Sequence, residues 1–450
     1  MKGQFKIGCN SQIITPPLGT LLYGYVAHRP ATRVHDDLRV NVVAMEQGEL
    51  KGIMISADIC SVPENVVAQI RQAIFDETDV LKENISVSAI HTHSGPAIKS
   101  AGGWGNANEE YINNILIPKT VEASKNALAN MRDAVMGIGT SESNVGVNRR
   151  ELDENGNVLL GQNPYGVFDK TMTVLSFKSL GGEPIVNLIH YGCHGTAAGR
   201  STAITRDWAG YMVDRMEKET GAMTVYFNGS EGDAGPRLSN DRTVGDDDYN
   251  VENELIDEEM SYMEEIGMVS AIDAMRAYRA IKYYSEVSFD VIKGPVILPY
   301  KQPPTLEEAK TRFSNLDKLD KRVGVQLRDY ATLKETIRMY ENNEEFDTHM
   351  QINQIMFVFN SVVFVPFPFE MFSEIPLRLK EYSPFEHTLC LSNTNGANYY
   401  LPTHDQLSRG GYEIEIFLYA NVYKFKDNTD DVIIVENMKL INDYRDARKY

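Results

Sequence analysis

The sequence predicts a mixed α/β fold, with partly parallel sheets flanked by helices, in one large domain spanning residues 1–450. Three observations predict it. Apolar runs of strand length alternate with stretches of helical spacing. The order strand, helix, strand implies a crossover connection, which joins parallel strands. The strand-like runs end in polar, glycine-rich loops, and chemistry in such sheets sits at strand C-terminal ends.

The elements follow in chain order. Residues 51–59 are an apolar run fit for a buried strand. Residues 62–75 place Val66, Val67, Ile70 and Ile74 at helical spacing, and 84–90 are strand-like again. His91-Thr-His-Ser-Gly-Pro96 begins where that second strand stops. The pattern recurs at 184–189, a strand running into His190-Tyr-Gly-Cys-His194, then a helix over 206–220. A strand over 222–227 runs into Asn228-Gly-Ser-Glu-Gly-Asp-Ala-Gly-Pro236. A β-rich stretch over 356–365 ends at Pro366-Phe-Pro-Phe-Glu370, and 388–391 leads into the loop 393–400. Five strand ends thus carry polar loops, which argues for one shared site. The acidic stretch 241–265 reads as a solvated loop and helix start, and 305–345 as two polar helices packed on one edge. Together, 241–345 is expected to form a peripheral insertion.

Composition narrows the function. Hydrophobic content of 42% and charged content of 24% are ordinary for a globular chain, and 450 residues can bury a large core without staples. A net charge of −19 argues against nucleic acid and anionic lipid as partners, and it says little about the substrate, because surface charge mostly sets solubility. Cys9, Cys60, Cys193 and Cys390 are scattered and form no CxxC pair, so neither a disulfide framework nor a cysteine zinc site is expected. Residues 1–10 hold no apolar signal-peptide core, and no apolar run approaches a membrane-spanning length. A cytoplasmic location without membrane insertion is the expectation. No P-loop, GxGxxG fingerprint or GxSxG elbow occurs.

Histidines carry the strongest chemical signal. His91 and His93, spaced i, i+2 at a strand end, present imidazoles in a way that suits a metal. Of His190 and His194, the first lies inside the strand pattern and reads as a buried, hydrogen-bonded core histidine. His194 lies beyond the strand end and is the better ligand candidate. Asp233 sits in a glycine-rich loop that permits close approach of a ligand. Cys193 adjoins His194, but neighbouring residues rarely point the same way, which disfavours a thiol nucleophile.

Several motifs, taken together, resemble the neutral/alkaline non-lysosomal ceramidase family. They are Ile13-Ile-Thr-Pro-Pro17, Tyr23-Gly-Tyr25, His35-Asp-Asp-Leu38, Ser88-Ala-Ile-His-Thr-His-Ser-Gly-Pro96, Asn148-Arg149, His194-Gly-Thr196 with Asp207 and Gly210, Gly232-Asp-Ala-Gly-Pro236, Pro368-Phe-Glu370, Asn395-Gly-Ala-Asn-Tyr-Tyr400 and Tyr412-Glu413. They run in the family's order over nearly the whole chain. The resemblance implies a ceramidase-like catalytic domain and one zinc ion (Zn2+) per chain, held by His91, His194, Glu370 and Tyr400. From the residues alone, Glu370 also fits a carboxylate at a helix N-terminus, and only the resemblance favours Tyr400 over Tyr399. His93, Arg149 and Tyr412 would be catalytic, and Asp233 and Gly235 would meet the substrate. Arg149 lies in a polar stretch without apolar periodicity, so it is expected to serve the substrate and not the fold. Arg150 beside it reads as solvated.

The departures bear on the substrate. Gly235 stands where the family has a serine tied to catalysis and amide recognition, and neither the family's secretion signal nor its C-terminal immunoglobulin-like domain is read here. The expectation is a zinc-dependent hydrolase cleaving an amide or related bond in a small, polar substrate, with long-chain ceramide disfavoured. A metal-dependent glycosidase, lyase or isomerase on a carbohydrate-like substrate remains open, as does a catalytically inactive ligand-binding homologue.

Overall fold

The structure is a computed structural model that describes residues 3–25, 28–100, 106–240, 260–319, 325–415 and 424–448. Two sheets pack face to face, and helices cover both outer faces. The larger, nine-stranded sheet runs in the order Met223–Asn228, Pro184–Tyr191, Thr171–Ser179, Arg132–Glu142, Lys6–Ile13, Arg39–Gln47, Leu50–Ala57, Ile85–Ala89, with Ser285–Glu286 against Arg132–Glu142. Its interior is antiparallel. Only the two outermost pairs, Pro184–Tyr191 with Met223–Asn228 and Leu50–Ala57 with Ile85–Ala89, are parallel. These are the two strand–helix–strand units legible in the sequence, bridged by helices Trp208–Thr220 and Glu64–Glu77.

The smaller, four-stranded sheet runs Phe289–Pro299, His349–Phe359, Val362–Pro366, His387–Leu391, and its last pair is parallel. The expected single β-rich stretch over 356–365 is instead two strands of an antiparallel hairpin. The apolar run on both sides hides the turn, whose cue is Asn360 in the left-handed region at φ 52°. The sheets meet through an aromatic layer in which Phe5, Phe177, Phe289, Phe357 and Phe359 stack at centroid separations of 5.5–6.2 Å.

Each strand therefore has two apolar faces where its sheet is covered twice. Val42 and Ile55 face helices Glu64–Glu77 and Ile117–Ala129, whereas Val43 and Met54 face the aromatic layer. This is why the strand runs read as continuously apolar. Helices Glu374–Tyr382 and Thr429–Asp446 cover the outer face of the smaller sheet.

Of the stretch 241–345, residues 241–259 lie outside those described. Helix Ser261–Arg279 packs into the core through Met263, Ile266, Ala271, Ala274 and Ala277, and Phe289–Pro299 is a sheet strand. Helices Leu306–Asp317 and Val325–Glu341 pair with each other, Phe313 stacking on Tyr330 at 4.6 Å.

Phe359 is fully buried at the junction of the two sheets. Phe359→Ala is expected to cost about 3–5 kcal/mol, read from a denaturation curve. A loss within the range of an exposed site, about 0.5 kcal/mol, would contradict the layer packing described here.

Candidate active site

Three parallel strand pairs end at one point, and their C-terminal loops supply the site. The loop after Ile85–Ala89 brings His91 and His93, and the loop after Pro184–Tyr191 brings His194. The glycine-rich loop 229–236 follows Met223–Asn228. Glu370 follows Val362–Pro366, and Tyr400 follows His387–Leu391. Bridges Thr92↔Gly195 and Ser88↔Thr394 stitch these loops together, and Glu370 pairs directly with Tyr400 in a short parallel ladder.

Both histidines are oriented by backbone. His91 Nδ1 lies 2.8 Å from the Cys60 carbonyl, and His194 Nδ1 lies 2.6 Å from the Glu231 carbonyl. A carbonyl only accepts, so each Nδ1 carries a proton and Nε2 is the ring atom turned to the centre. Burial lowers the His91 pKa, but Cys60 and Glu370 outweigh it and hold it well above the ordinary value, so a cation binding at that Nε2 would displace a proton. Those Nε2 atoms each lie 3.4 Å from Glu370 Oε2. Burial, then Arg149 and His91, push the His194 pKa down to about 3, so its ring is neutral at pH 7. Burial favours a protonated Glu370, but the flanking histidines outweigh it and hold the carboxyl well below its ordinary range. Two buried imidazoles and the partly buried Glu370 carboxylate thus face one another, their ligand atoms within 4.8 Å. His194 Nε2 and Glu370 Oε2 have no hydrogen-bond partner among the described residues. This donor set fits a cation such as zinc: nitrogen and oxygen ligands, with ring tautomers fixed from behind.

Tyr400 completes the wall. Its ring stacks on His194 at 6.4 Å, and its hydroxyl accepts from Arg149 Nη2 at 2.9 Å. Tyr399 turns the other way, toward Lys99. Glu370 sits on a two-residue strand, four residues before helix Glu374–Tyr382, so it is not a helix N-terminal carboxylate. His93 Nε2 lies 3.2 Å from His91 Nε2 at the margin of the cluster. Gly24, at φ +117°, lies flat against the His93 ring, where any Cβ would collide; this explains the glycine in Tyr23-Gly-Tyr25.

A model of the neutral/alkaline non-lysosomal ceramidase N-terminal region matches residues 5–254, more than half of the chain. The chain belongs to that family. Neutral ceramidases A and B of Dictyostelium discoideum are 27% and 26% identical over 259 and 210 residues. Those matches cover 52% and 41% of this chain but only 36% and 29% of the relatives, so the chain spans about a third of their length. The fold is similar to that of neutral ceramidase from Pseudomonas aeruginosa, with a TM-score of 0.73 at 18% identity, covering 98% of this chain and 75% of that one. A second solved structure, a ceramidase complexed with C2, gives a TM-score of 0.69 at 16% identity, covering 97% and 74%.

Within this ceramidase-family site, the reading of Arg150 is corrected: it is not solvated but buried beside Arg149. Arg149 and Arg150 lie on strand Gly146–Leu152 with 7% and 4% of their surface exposed. Arg149 Nε donates to Glu413 Oε1 at 2.8 Å, and Arg150 Nη1 donates to Glu413 Oε2 at 2.7 Å. One buried carboxylate thus holds two guanidiniums, and the polar sequence concealed this because its partner lies more than 260 residues away. Tyr412 sits over the same cluster, its ring 6.2 Å from Tyr400 and 5.8 Å from the Arg149 guanidinium.

Asp233 is a strut. Oδ1 accepts from the Ser373 amide and hydroxyl, Oδ2 accepts from Asn148, and its carbonyl accepts from the Arg149 amide. Its carboxylate is committed to the protein, which sets it apart from the expected substrate contact. A side chain at Gly235 would meet Arg149. His190 is a core histidine as read, bonded to the Cys390 carbonyl at 2.8 Å and lowered to about pKa 4 by burial. Burial raises the Cys193 thiol, which keeps it protonated.

Sequence reasoning missed Glu231 and Asn393. Asn393 Nδ2 donates to Glu231 Oε1 at 2.6 Å, behind both histidines. Burial raises the Glu231 carboxyl to about 8. The Gly-rich loop drew attention to Asp233, and nothing local distinguishes the two acids. Two other ligand-like groups are less suited to a metal. Cys60 with His91 and His93 shares His91, whose Nδ1 already serves the Cys60 carbonyl. Asp430 and Asp431, near His404, already carry the Arg378 guanidinium.

Two measurements check this geometry. Elemental analysis of purified protein is expected to give about one divalent metal per chain, lost in His194→Ala. Equal metal in both would remove His194 from the ligand set. Arg150→Ala leaves Glu413 half-paired in the interior and is expected to cost about 3–5 kcal/mol in a denaturation assay. A change as small as an exposed residue gives, about 0.5 kcal/mol, would restore the surface reading.

Proposed function

We propose that this chain is a zinc-dependent hydrolase that cleaves an amide or related bond in a small, polar substrate. The observation that carries the reading is the convergence of His91 Nε2, His194 Nε2 and Glu370 Oε2, with both Nδ1 protons anchored on backbone carbonyls. Membership of a family named for ceramidases supports the amide bond.

His91, His194, Glu370 and Tyr400 would hold the ion. Zinc bound there supplies Lewis acidity and a lowered pKa for water, toward about 7. The remaining chemistry belongs to the chain. Burial, with His91 and His194 beside it, keeps His93 well below its ordinary pKa, so it is a free base at neutral pH. A base so placed can accept a proton as the carbonyl is attacked and return it to the leaving amine. Arg149 is fixed by Glu413 and Tyr400, so its charge is aimed before the reaction begins. A developing oxyanion beside Tyr400 meets a guanidinium that needs no reorganisation. Tyr412 closes that side over the Arg149 face.

Gly235 modifies the family pattern in a way that favours a different acyl or amine partner. A Cβ built there meets only Arg149 carbons, at 3.6 and 3.8 Å, which is ordinary contact. A serine would therefore fit, and its hydroxyl would lie beside Arg149. The glycine leaves that volume to the substrate.

Arg149→Lys keeps the charge but loses the fork that spans Glu413 and Tyr400. It is expected to lower kcat by about 10²–10³-fold, while KM moves far less. The substrate class is checked with metal-loaded enzyme, a fluorescent ceramide in detergent, a panel of soluble N-acyl compounds and product identification. Turnover of the soluble amides well above ceramide is the expected result. Ceramide turnover at about 10⁴ M⁻¹s⁻¹ or more would overturn the small-substrate reading. Gly235→Ser is expected to fold normally and to move the preference toward ceramide.

A further inference from the structure

Lys99 lies at the end of the loop that carries His91 and His93. Its ammonium sits over the Tyr399 ring, 3.8 Å from the centroid, and donates to the Ala397 carbonyl at 2.5 Å. The side chain is half-buried, and among the described residues no carboxylate lies within ion-pair distance of it. Burial lowers its pKa, and Glu370 and Glu64 offset that only in part and from further away. Glu64 is itself engaged by Asn398. An ammonium has three donors, and among the described residues one of them has a protein acceptor.

A desolvated cation without a counter-charge is costly to keep unless something else answers it. The ring beneath it is part of the machinery. Tyr399 adjoins Tyr400, its carbonyl accepts the Glu370 amide at 2.8 Å, and its backbone is held at φ 62°, an uncommon conformation for a bulky residue. The strained residue places its ring under Lys99 and its carbonyl on Glu370. The cation therefore lies close enough to Glu370 to feel its charge and rests on the residue next to Tyr400, in a chain whose net charge is −19.

We propose that Lys99 determines substrate specificity by receiving a carboxylate carried by the substrate, so that the preferred amides are anionic, in contrast to a neutral N-acyl alcohol. This rests on the amide reading above and adds to it. The carboxylate can lie on the amine half of the amide, as in an N-acyl amino acid, or on the acyl half, as in a succinamate.

Two matched pairs test it: N-hexanoylglycine against N-hexanoylglycinamide, and N-propylsuccinamate against N-propylsuccinamide. Turnover and calorimetric binding are measured on metal-loaded protein, for wild type, Lys99→Met, Lys99→Arg and Lys99→Glu, with metal content and melting temperature alongside. In at least one pair the wild type is expected to prefer the acid. Lys99→Met should weaken binding of that acid about ten-fold or more while leaving its neutral partner unchanged, as for a lost hydrogen bond to a charged group. Lys99→Arg should retain the preference, and Lys99→Glu should reverse it. The pair that responds identifies which half carries the charge. Equal effects of Lys99→Met on acid and neutral partner, or a loss of metal, would make Lys99 a strut for the 395–400 loop and overturn the proposal. Cleavage of neutral and charged amides alike, independent of Lys99, would overturn it while leaving the amidase intact. Lys99-dependent binding of the acid without any cleavage would uphold the anion site and remove the amidase. Absence of both binding and cleavage would remove both.

Discussion

Two ring protons, on Nδ1 of His91 and Nδ1 of His194, point at backbone carbonyls of Cys60 and Glu231, and the arrangement of the centre depends on them. Each bond does two things. It places a proton on Nδ1, so that Nε2 is the nitrogen offered to the centre, and it sets the direction in which that nitrogen points. The carbonyls can do this only because their own segments are rigid. Cys60 follows the end of strand Leu50–Ala57, and the His91 amide reaches back to the Ile59 carbonyl at 3.0 Å. Glu231 lies in a loop pinned at Gly232, whose amide bonds the Met371 carbonyl and whose missing Cβ lets it press against the Glu370 backbone. The ligands are thus oriented by main chain, which has fewer ways to relax than side chains.

Around that centre, charge is managed in two ways. Glu413 gathers Arg149 and Arg150 so that a fixed cation can stand near Tyr400 without being left alone in the interior. Such a cluster contributes little net stability compared with well-packed apolar residues, yet breaking it is expensive. Its value lies in direction. Lys99, by contrast, has no carboxylate within ion-pair distance among the described residues, and its ammonium rests on the Tyr399 ring.

Much of the scaffold was legible in the sequence, and the reasons are specific. Val66, Val67, Ile70 and Ile74 announced one helix, and the apolar runs before His91 and His194 announced two parallel strand pairs. His194 was separable from His190 because the strand pattern ended between them. The hairpin turn at Asn360 was lost because apolar residues press on it from both sides. The joint burial of Arg149 and Arg150 was lost because no local pattern announces a distant carboxylate. Asn393, Glu231 and Lys99 share that limitation: their roles come from neighbours that chain topology brings together. Glu370 and Tyr400 came from a family resemblance, since a single acid or tyrosine in a loop carries no signal of its own.

The centre is divided between the two sheets. His91 and His194 hang from the larger one, and Glu370 and Tyr400 from the smaller. Nothing covalent sets the spacing of these halves except distant chain crossings, so the aromatic layer between the sheets acts as the gauge block of the site. A strand advances about 3.3 Å per residue, whereas reacting groups misplaced by about 1 Å can lose a hundredfold in rate. The phenylalanines at 5, 177, 289, 357 and 359 form a buried cluster between the sheets. The spacing of the two halves is therefore set in part in an apolar interior, alongside the backbone bridge Ser88↔Thr394. Repacking that interior can shift one half of the candidate site against the other without changing any of its polar residues.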